Sequence, residues 1–370
     1  MSGQHQLTTQ CGKKVMIASS GGNLSKEDAS SYVFCLEPVL GQGVELWGHR
    51  FVWTKEHVSR AELEPLRRIG DPLMDNMVHS SKEEIVAQLL KVEVPSWVDW
   101  ERIEKGRLVF RRFFPFCGVS LFYASLVGGF SAALIVKTLT KAGGLSASDE
   151  KAVLRRVLRT TRFVCQVHRG SLRPGGDAWT AAIDVRHLHA RVREKVKFDD
   201  EVAVNMEDSV VTLLAFSSNV LHGIEKLGGR VSDEDEENYL HLWRYVGFLL
   251  GIPDSLNPCV SLQRARAIEQ SICLHILYPD KDSINLAHHL LKCVPGRFSH
   301  RAAWCRHLIG DKLADALELP LPNLIIRTRL NVELAILHLY AFCLRLPLID
   351  SILLHFNDLI IDAFIRRKKM

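Results

Sequence analysis

Start and stop signals for helices recur along almost the whole chain and leave little room for another fold class. Ser81 with Glu84 forms a capping box ahead of Ile85, Val86, Leu89 and Leu90. Gly143-Gly144 closes a long apolar stretch. Ser148-Asp-Glu150 then opens a helix predicted to run to about His168, with Gly170 ending it. Asp177 opens the next helix. A segment predicted to start at Asp200 continues to Gly228-Gly229. Ser232 caps an acidic first turn, where negative charge suits the helix dipole, and Gly251-Ile-Pro253 ends that helix. Further helices are predicted near 260–278, 281–293, 299–318, 326–345 and 348–366, separated by prolines and glycines. The pattern predicts an all-α fold of about a dozen helices. Only residues 31–54 depart from it, where 33–36 and 44–47 have the composition of short strands.

The chain has 370 residues, 47% of them apolar, enough for a large core in a single large helical domain. That domain is expected over 26–370, after a disordered Gly-, Ser- and Gln-rich tail over 1–25. Lys plus Arg total 47 against 42 acids, a net charge of +5. Spread over this length, without basic stripes interleaved with aromatics, that charge argues against a nucleic-acid partner. The nine cysteines are scattered singly, with no C-x-x-C pair, which argues against a zinc knuckle or a redox dithiol. They read as reduced core residues in a reducing, cytoplasmic compartment. Residues 113–136 carry no charge and meet the length criterion for a membrane span. Their Pro115, Gly118 and Gly128-Gly129 instead predict a buried core helix.

Two helix faces carry candidate chemistry. Between 148 and 168, Val153, Arg156, Val157, Thr160 and Val164 recur at spacings of three and four, so Arg156 and Thr160 are expected to point inward. A buried guanidinium either pairs with a carboxylate or helix-end carbonyl, or solvates a ligand. In the helix from Asp177, Ala182, Val185, Leu188, His189 and Val192 form an apolar stripe, with Arg186, Arg191, Arg193 and His187 expected off it. His189 is then either a hydrogen-bonded core residue or a metal ligand. A cationic donor facing such a histidine across a dry gap is what a histidine-ligated haem would use. Elsewhere His289 and Cys293 offer only two metal ligands on one helix face. No Ser-His-Asp elbow, phosphate-cradling loop or H-E-x-x-H motif is present.

Several segments in order carry a resemblance. They are Gly70-Asp-Pro-Leu-Met-Asp75, Gly106-Arg-Leu-Val-Phe110, Ala124-Ser-Leu126, Arg156-x-x-Arg-Thr160, and Val185-Arg-x-Leu-His189-Ala-x-Val-Arg193. Thr212-Leu-Leu-Ala-Phe-Ser217 and the run from Tyr239 through Trp243-Arg244 to Pro253 follow. Together they resemble the catalytic domain shared by latex-clearing proteins (rubber oxygenases) and MpaB-type oxygenases, best over 60–260. The resemblance implies a globin-like helical core binding one haem b non-covalently, with His189 as the iron ligand and Arg156 and Thr160 on the distal side. It also implies dioxygen and an apolar, isoprenoid or lipid-like substrate, and an endoplasmic-reticulum membrane as the alternative location. The basic tail Arg366-Arg-Lys-Lys369 after apolar 359–365 would make the peripheral membrane contact.

This chain departs from the family at two places. Arg159 stands where rubber oxygenases have a lysine able to approach the iron, and a guanidinium offers no neutral axial nitrogen. Gly128 falls where relatives carry a glutamate proposed as a base, so Gly128-Gly129 is expected to widen the pocket instead. Two other readings of the chain stand beside the oxygenase: a haem protein that senses or stores a ligand, and a helical module without cofactor.

Overall fold

Helices form nearly every element of the protein, as the capping pattern predicts. The computed structural model describes residues 6–8, 14–16, 37–143 and 150–366. The predicted tail lies outside these residues except for β1 (Gln6–Thr8) and β2 (Lys14–Met16), which pair antiparallel. Of the two predicted strand segments, 33–36 lies outside the described residues. The other becomes β3 (Gly43–Leu46), paired with β4 (His49–Val52) through a tight turn at Trp47 and Gly48. Both turn residues have positive φ, 53° and 87°, the geometry of a two-residue hairpin whose twist matches its strands.

Short helices α1 (Arg60–Leu63) and α2 (Pro72–Asp75) precede α3 (Lys82–Leu89). The Ser81 capping box on α3 is present in both directions. Next, α4 (Trp100–Arg112) leads into the uncharged stretch at 113–136, which is not one helix. It divides into α5 (Phe114–Val119), a π-wound segment Ser120–Gly128, a break, and α6 (Ala133–Lys141). Ser125 Oγ donates to the Ala215 carbonyl at 2.6 Å, one of the contacts that holds the widened turns.

The helices that matter for the candidate site follow. They are α7 (Glu150–Arg169) and α8 (Asp177–Lys195), which pack on each other. The segment expected to start at Asp200 starts later and is split into α9 (Met206–Phe216) and α10 (Ser218–Lys226). Asn205 supplies the cap, accepting from the Asp208 amide, and Ser217 makes the break with non-helical φ and ψ of −114° and −93°. Ser232 caps α11 (Asp233–Leu249) as expected. The remaining helices are α12 (Leu262–His275), α13 (Lys281–Cys293), α14 (Phe298–Ile309), α15 (Asp311–Ala316), α16 (Leu324–Cys343) and α17 (Pro347–Arg366). Gly310, at φ +83°, divides α14 from α15 within the predicted 299–318 helix.

The core centres on α4 against α11. A Cβ on Gly106 would lie 2.3 Å from the Asn238 carbonyl oxygen, so only glycine lets the two backbones approach this closely. Around that contact Phe110 stacks on His168 of α7 at 3.8 Å, and Phe216 stacks on Trp243 at 5.4 Å. Burial holds the His168 imidazole down at about 3, and its Nδ1 bonds the Val164 carbonyl. The last helix is tied on by charge: Asp350, Asp358 and Asp362 of α17 pair with Arg112, Arg111 and Arg169. Cys117, Cys165, Cys259, Cys273, Cys293, Cys305 and Cys343 are free thiols, as their placement in apolar runs suggested.

Candidate functional site

The two candidate helices do meet, but α8 turns a different face inward from the one its apolar pattern suggests. Its buried side runs through Ala178, Trp179, Ala182, Ile183, Arg186, Ala190 and Arg193, while Leu188 is 55% exposed. Arginines expected outside are inside because carboxylates are waiting for them. Arg186 makes a two-pronged pair with Asp71, Nε to Oδ2 at 2.5 Å and Nη2 to Oδ1 at 2.8 Å. One turn along α2, Asp75 accepts from Arg193 Nε at 2.7 Å, and Arg193 Nη1 donates to the Val204 carbonyl. Glycine backbone closes over both pairs. A Cβ on Gly251 would lie 2.5 Å from Asp71 Oδ2, and one on Gly70 would lie 2.9 Å from Asp75 Oδ2.

These pairs fix the rotation of α8 and therefore the direction of its two histidines. His187 Nε2 bonds the Val78 carbonyl at 2.9 Å and is thereby occupied. Among the described residues, the His189 side chain has no hydrogen-bond partner. Burial drives the His189 imidazole down to about 4, helped by the charges of Arg193 and Arg156 and opposed by Asp71. Its neutral form therefore prevails at ordinary pH. Arg156 is thus among the charges that act on His189 through space.

On α7 the expectations divide. Arg156 is desolvated, which lowers its pKa, and its side chain has neither an ion pair nor a hydrogen bond among the described residues. Of its two expected roles, pairing with a protein carboxylate is therefore not realised. Thr160, expected inward beside it, is exposed, and so is Arg159. The buried face of α7 instead continues through Val164, Cys165, Val167 and His168. Thr160 lies only about 40° round the helix from Arg156, at about 100° per residue, so its exposure reflects missing cover over that stretch of the stripe among the described residues and not a turn away from it. Gly128 and Gly129 both line a cavity; a Cβ on Gly129 would meet nothing within 4 Å, whereas one on Gly128 would sit 2.8 Å from Ile309 Cγ2. An acidic side chain at 128 would need Ile309 to move.

His289 and Cys293 do approach, at 3.4 Å, but among the described residues no group of three or more His, Cys, Asp or Glu side chains could hold a metal ion. Sequence reasoning missed Asp71 and Asp75 as the partners of α8. The signal was present as two acids one turn apart in the same ordered set of segments as Arg186 and Arg193.

Residues 117–338 match the family described as the catalytic domain of ER-bound oxygenase mpaB/B′ and rubber oxygenase, and the chain belongs to that family. Rubber oxygenase of Streptomyces sp. (strain K30) is 22% identical over 183 residues, which cover 45% of this chain. The match spans 42% of the length of that relative. The solved structure of latex clearing protein in the closed state superposes with a TM-score of 0.61 at 18% identity, covering 81% of this chain and 91% of that one. The two share the helical fold.

The buried pairs generate a direct test. Asp71→Asn leaves the Arg186 guanidinium buried with half its acceptor gone, and should cost about 3–5 kcal/mol in chemical denaturation. Replacing both partners, Asp71→Leu with Arg186→Met, should cost less than Asp71→Asn alone. Equal losses would mean that the pair is not a buried, mutually dependent unit.

Proposed function

We propose that this chain is a haem b-dependent oxygenase acting on an apolar substrate of isoprenoid or lipid-like kind, in which His189 would hold the iron. The observation that carries this reading is the juxtaposition of a neutral imidazole without a hydrogen-bond partner and a desolvated guanidinium without an ion pair. The donor set fits the group. Ligation needs the imidazole lone pair, which a neutral His189 presents. Family membership supports an oxygenase, and the haem and substrate assignments are the finer part of the proposal.

Haem, when bound, supplies the redox chemistry with dioxygen. The protein's own part is placement and charge. Arg156 offers planar donors that no carboxylate of the described protein engages, so they are available to a ligand carrying or developing negative charge. In a site of low dielectric such a donor contributes about 2–4 kcal/mol to the barrier. Thr160, one turn further along α7, supplies a hydroxyl on the exposed side, where it orders water or a polar atom of the reactants. Arg159 is exposed, and a guanidinium offers no neutral nitrogen to cap the site.

His189→Ala should abolish the Soret absorption of protein expressed with a haem precursor while leaving far-ultraviolet helicity intact. His187→Ala should retain the haem, because its ring serves the Val78 carbonyl. Arg156→Ala should also keep the haem but lose oxygen consumption with unsaturated terpenoids by about 30- to 1,000-fold. A His189→Ala variant that holds haem as tightly as wild type would contradict the ligand assignment.

The same reading includes a peripheral membrane contact, in keeping with the words "ER-bound" in the family description. No single helix among the described residues is long and apolar enough to cross a membrane. Of the tail expected to make the contact, Leu359 is 53% exposed and Ile361 is fully buried, and residues 367–370 lie outside the described ones. The surface proposed for the contact is wider than that tail. It lies on α16 and the start of α17, two helices bent by 118°, with Leu324 and Ile325 each 79% exposed and Leu348 76% exposed. Basic Arg327, Arg345 and Arg366 flank that apolar face, as anionic headgroups would require. Wild type should float with vesicles rich in phosphatidylserine, and Ile325→Glu with Leu348→Glu should not. Equal behaviour of the two proteins would remove this surface from membrane contact.

A further inference from the structure

A cavity half open to solvent, lined by neither Arg156 nor His189, lies between the π-wound segment, α9, α10, α12, α14 and the β3–β4 hairpin. Its volume is about 380 Å³, within the range of small-molecule sites, about 300–1,000 Å³. Its walls are apolar, with Leu214, Leu221, Ile272, Leu277, Ile309 and Leu313 facing it. Polar groups collect on α10 and α12. Ser218 Oγ donates to Glu269 at 2.5 Å, and the rings of His49 and His222 meet edge to face at 5.9 Å. Lys226 Nζ donates to the Leu308 carbonyl at 2.7 Å.

Lys226 is the group out of balance. Burial lowers its pKa, and among the described residues it has no ion-pair partner. Arg266, the other cation on the α12 side, already pairs with Glu236 at 2.9 Å. Glu269 acts on Lys226 only through space and is engaged by Ser218 instead. His222 is held down to about 4 by burial and by Lys226, so it is a neutral ring able to donate one N–H. A desolvated ammonium without a direct ion pair, which Glu269 and Glu225 reach only through space, beside a neutral imidazole and above an apolar wall, is complementary to one carboxylate on a hydrocarbon skeleton. No metal is suggested, because the described residues hold no group of three ligands.

We propose that this chamber binds a small monocarboxylic acid with an apolar skeleton, its carboxylate on Lys226 and His222 and its skeleton against Leu214, Leu221 and Ile272. Neither His189 nor Arg156 lines this cavity, although Gly128 and Gly129 do.

Calorimetry of the full chain with octanoate and octan-1-ol at about pH 8, where His and carboxylates are deprotonated, separates charge recognition from simple apolar filling. Wild type should bind octanoate at least about tenfold more tightly than the alcohol. Lys226→Met should bring the two within about twofold, and Lys226→Arg, which keeps the charge, should restore the preference. Ala215→Phe, which fills the chamber, should weaken both ligands, and His189→Ala should change neither. Thermal midpoints of all variants confirm that they are folded. Failure of wild type to bind octanoate, equal affinity for acid and alcohol, a preference that survives Lys226→Met, or indifference to Ala215→Phe would each overturn the proposal. Loss of octanoate binding in folded His189→Ala would overturn the separateness of the site.

Discussion

The rotation of α8 depends on two ion pairs, Asp71 with Arg186, buried, and Asp75 with Arg193, buried only on the arginine side. Such pairs add little net stability, because desolvating four charges offsets most of the attraction. Their effect is geometric. Arg186 is gripped at two points, and glycines at 70 and 251 let backbone close over the pairs without a side chain intervening. With α8 locked, His187 is committed to a carbonyl and His189 is left with unused nitrogens beside Arg156. The Arg193 charge then contributes to keeping that imidazole neutral. One set of salt bridges thus sets the direction of the candidate ligand and favours the protonation state that ligation requires.

This view explains which parts of the fold were legible in the sequence. Helix starts were, because a cap is a local device: Ser81 and Ser232 accept from backbone amides three residues on. The inward face of α8 was not. Its apolar periodicity pointed to Val185 and Leu188, and no local window reports that carboxylates 115 and 118 residues away would draw Arg186 and Arg193 inside. The uncharged run at 113–136 failed for a related reason. Composition told correctly that no charge faces lipid or core there, but not that π-wound turns and a break would divide it. At the split the Ser217 hydroxyl donates to the Leu213 carbonyl and accepts from the Cys259 thiol, and the second of these is a distant contact rather than a propensity.

At the candidate site the sequence placed His189 and Arg156 on facing helices, and the Arg156 charge acts on His189 through space. Thr160 and Arg159 were placed on the right helix and are exposed on it. The family resemblance drawn from the ordered segments agrees with the match over 117–338 and with the shared helical fold. Low identity, 18% to the solved relative, leaves room for differences in chemistry on a common frame. Gly128, packed against Ile309 in place of an acid, is one of them.

The central claim is that this frame holds His189 neutral and ready to ligate. Proton magnetic resonance of the haem-free protein, with the His189 ring signal assigned by its loss in His189→Gln, measures this directly. The account predicts a ring still neutral at about pH 5 and a midpoint near 4. A ring that titrates at the ordinary histidine value, about 6.5, would contradict it.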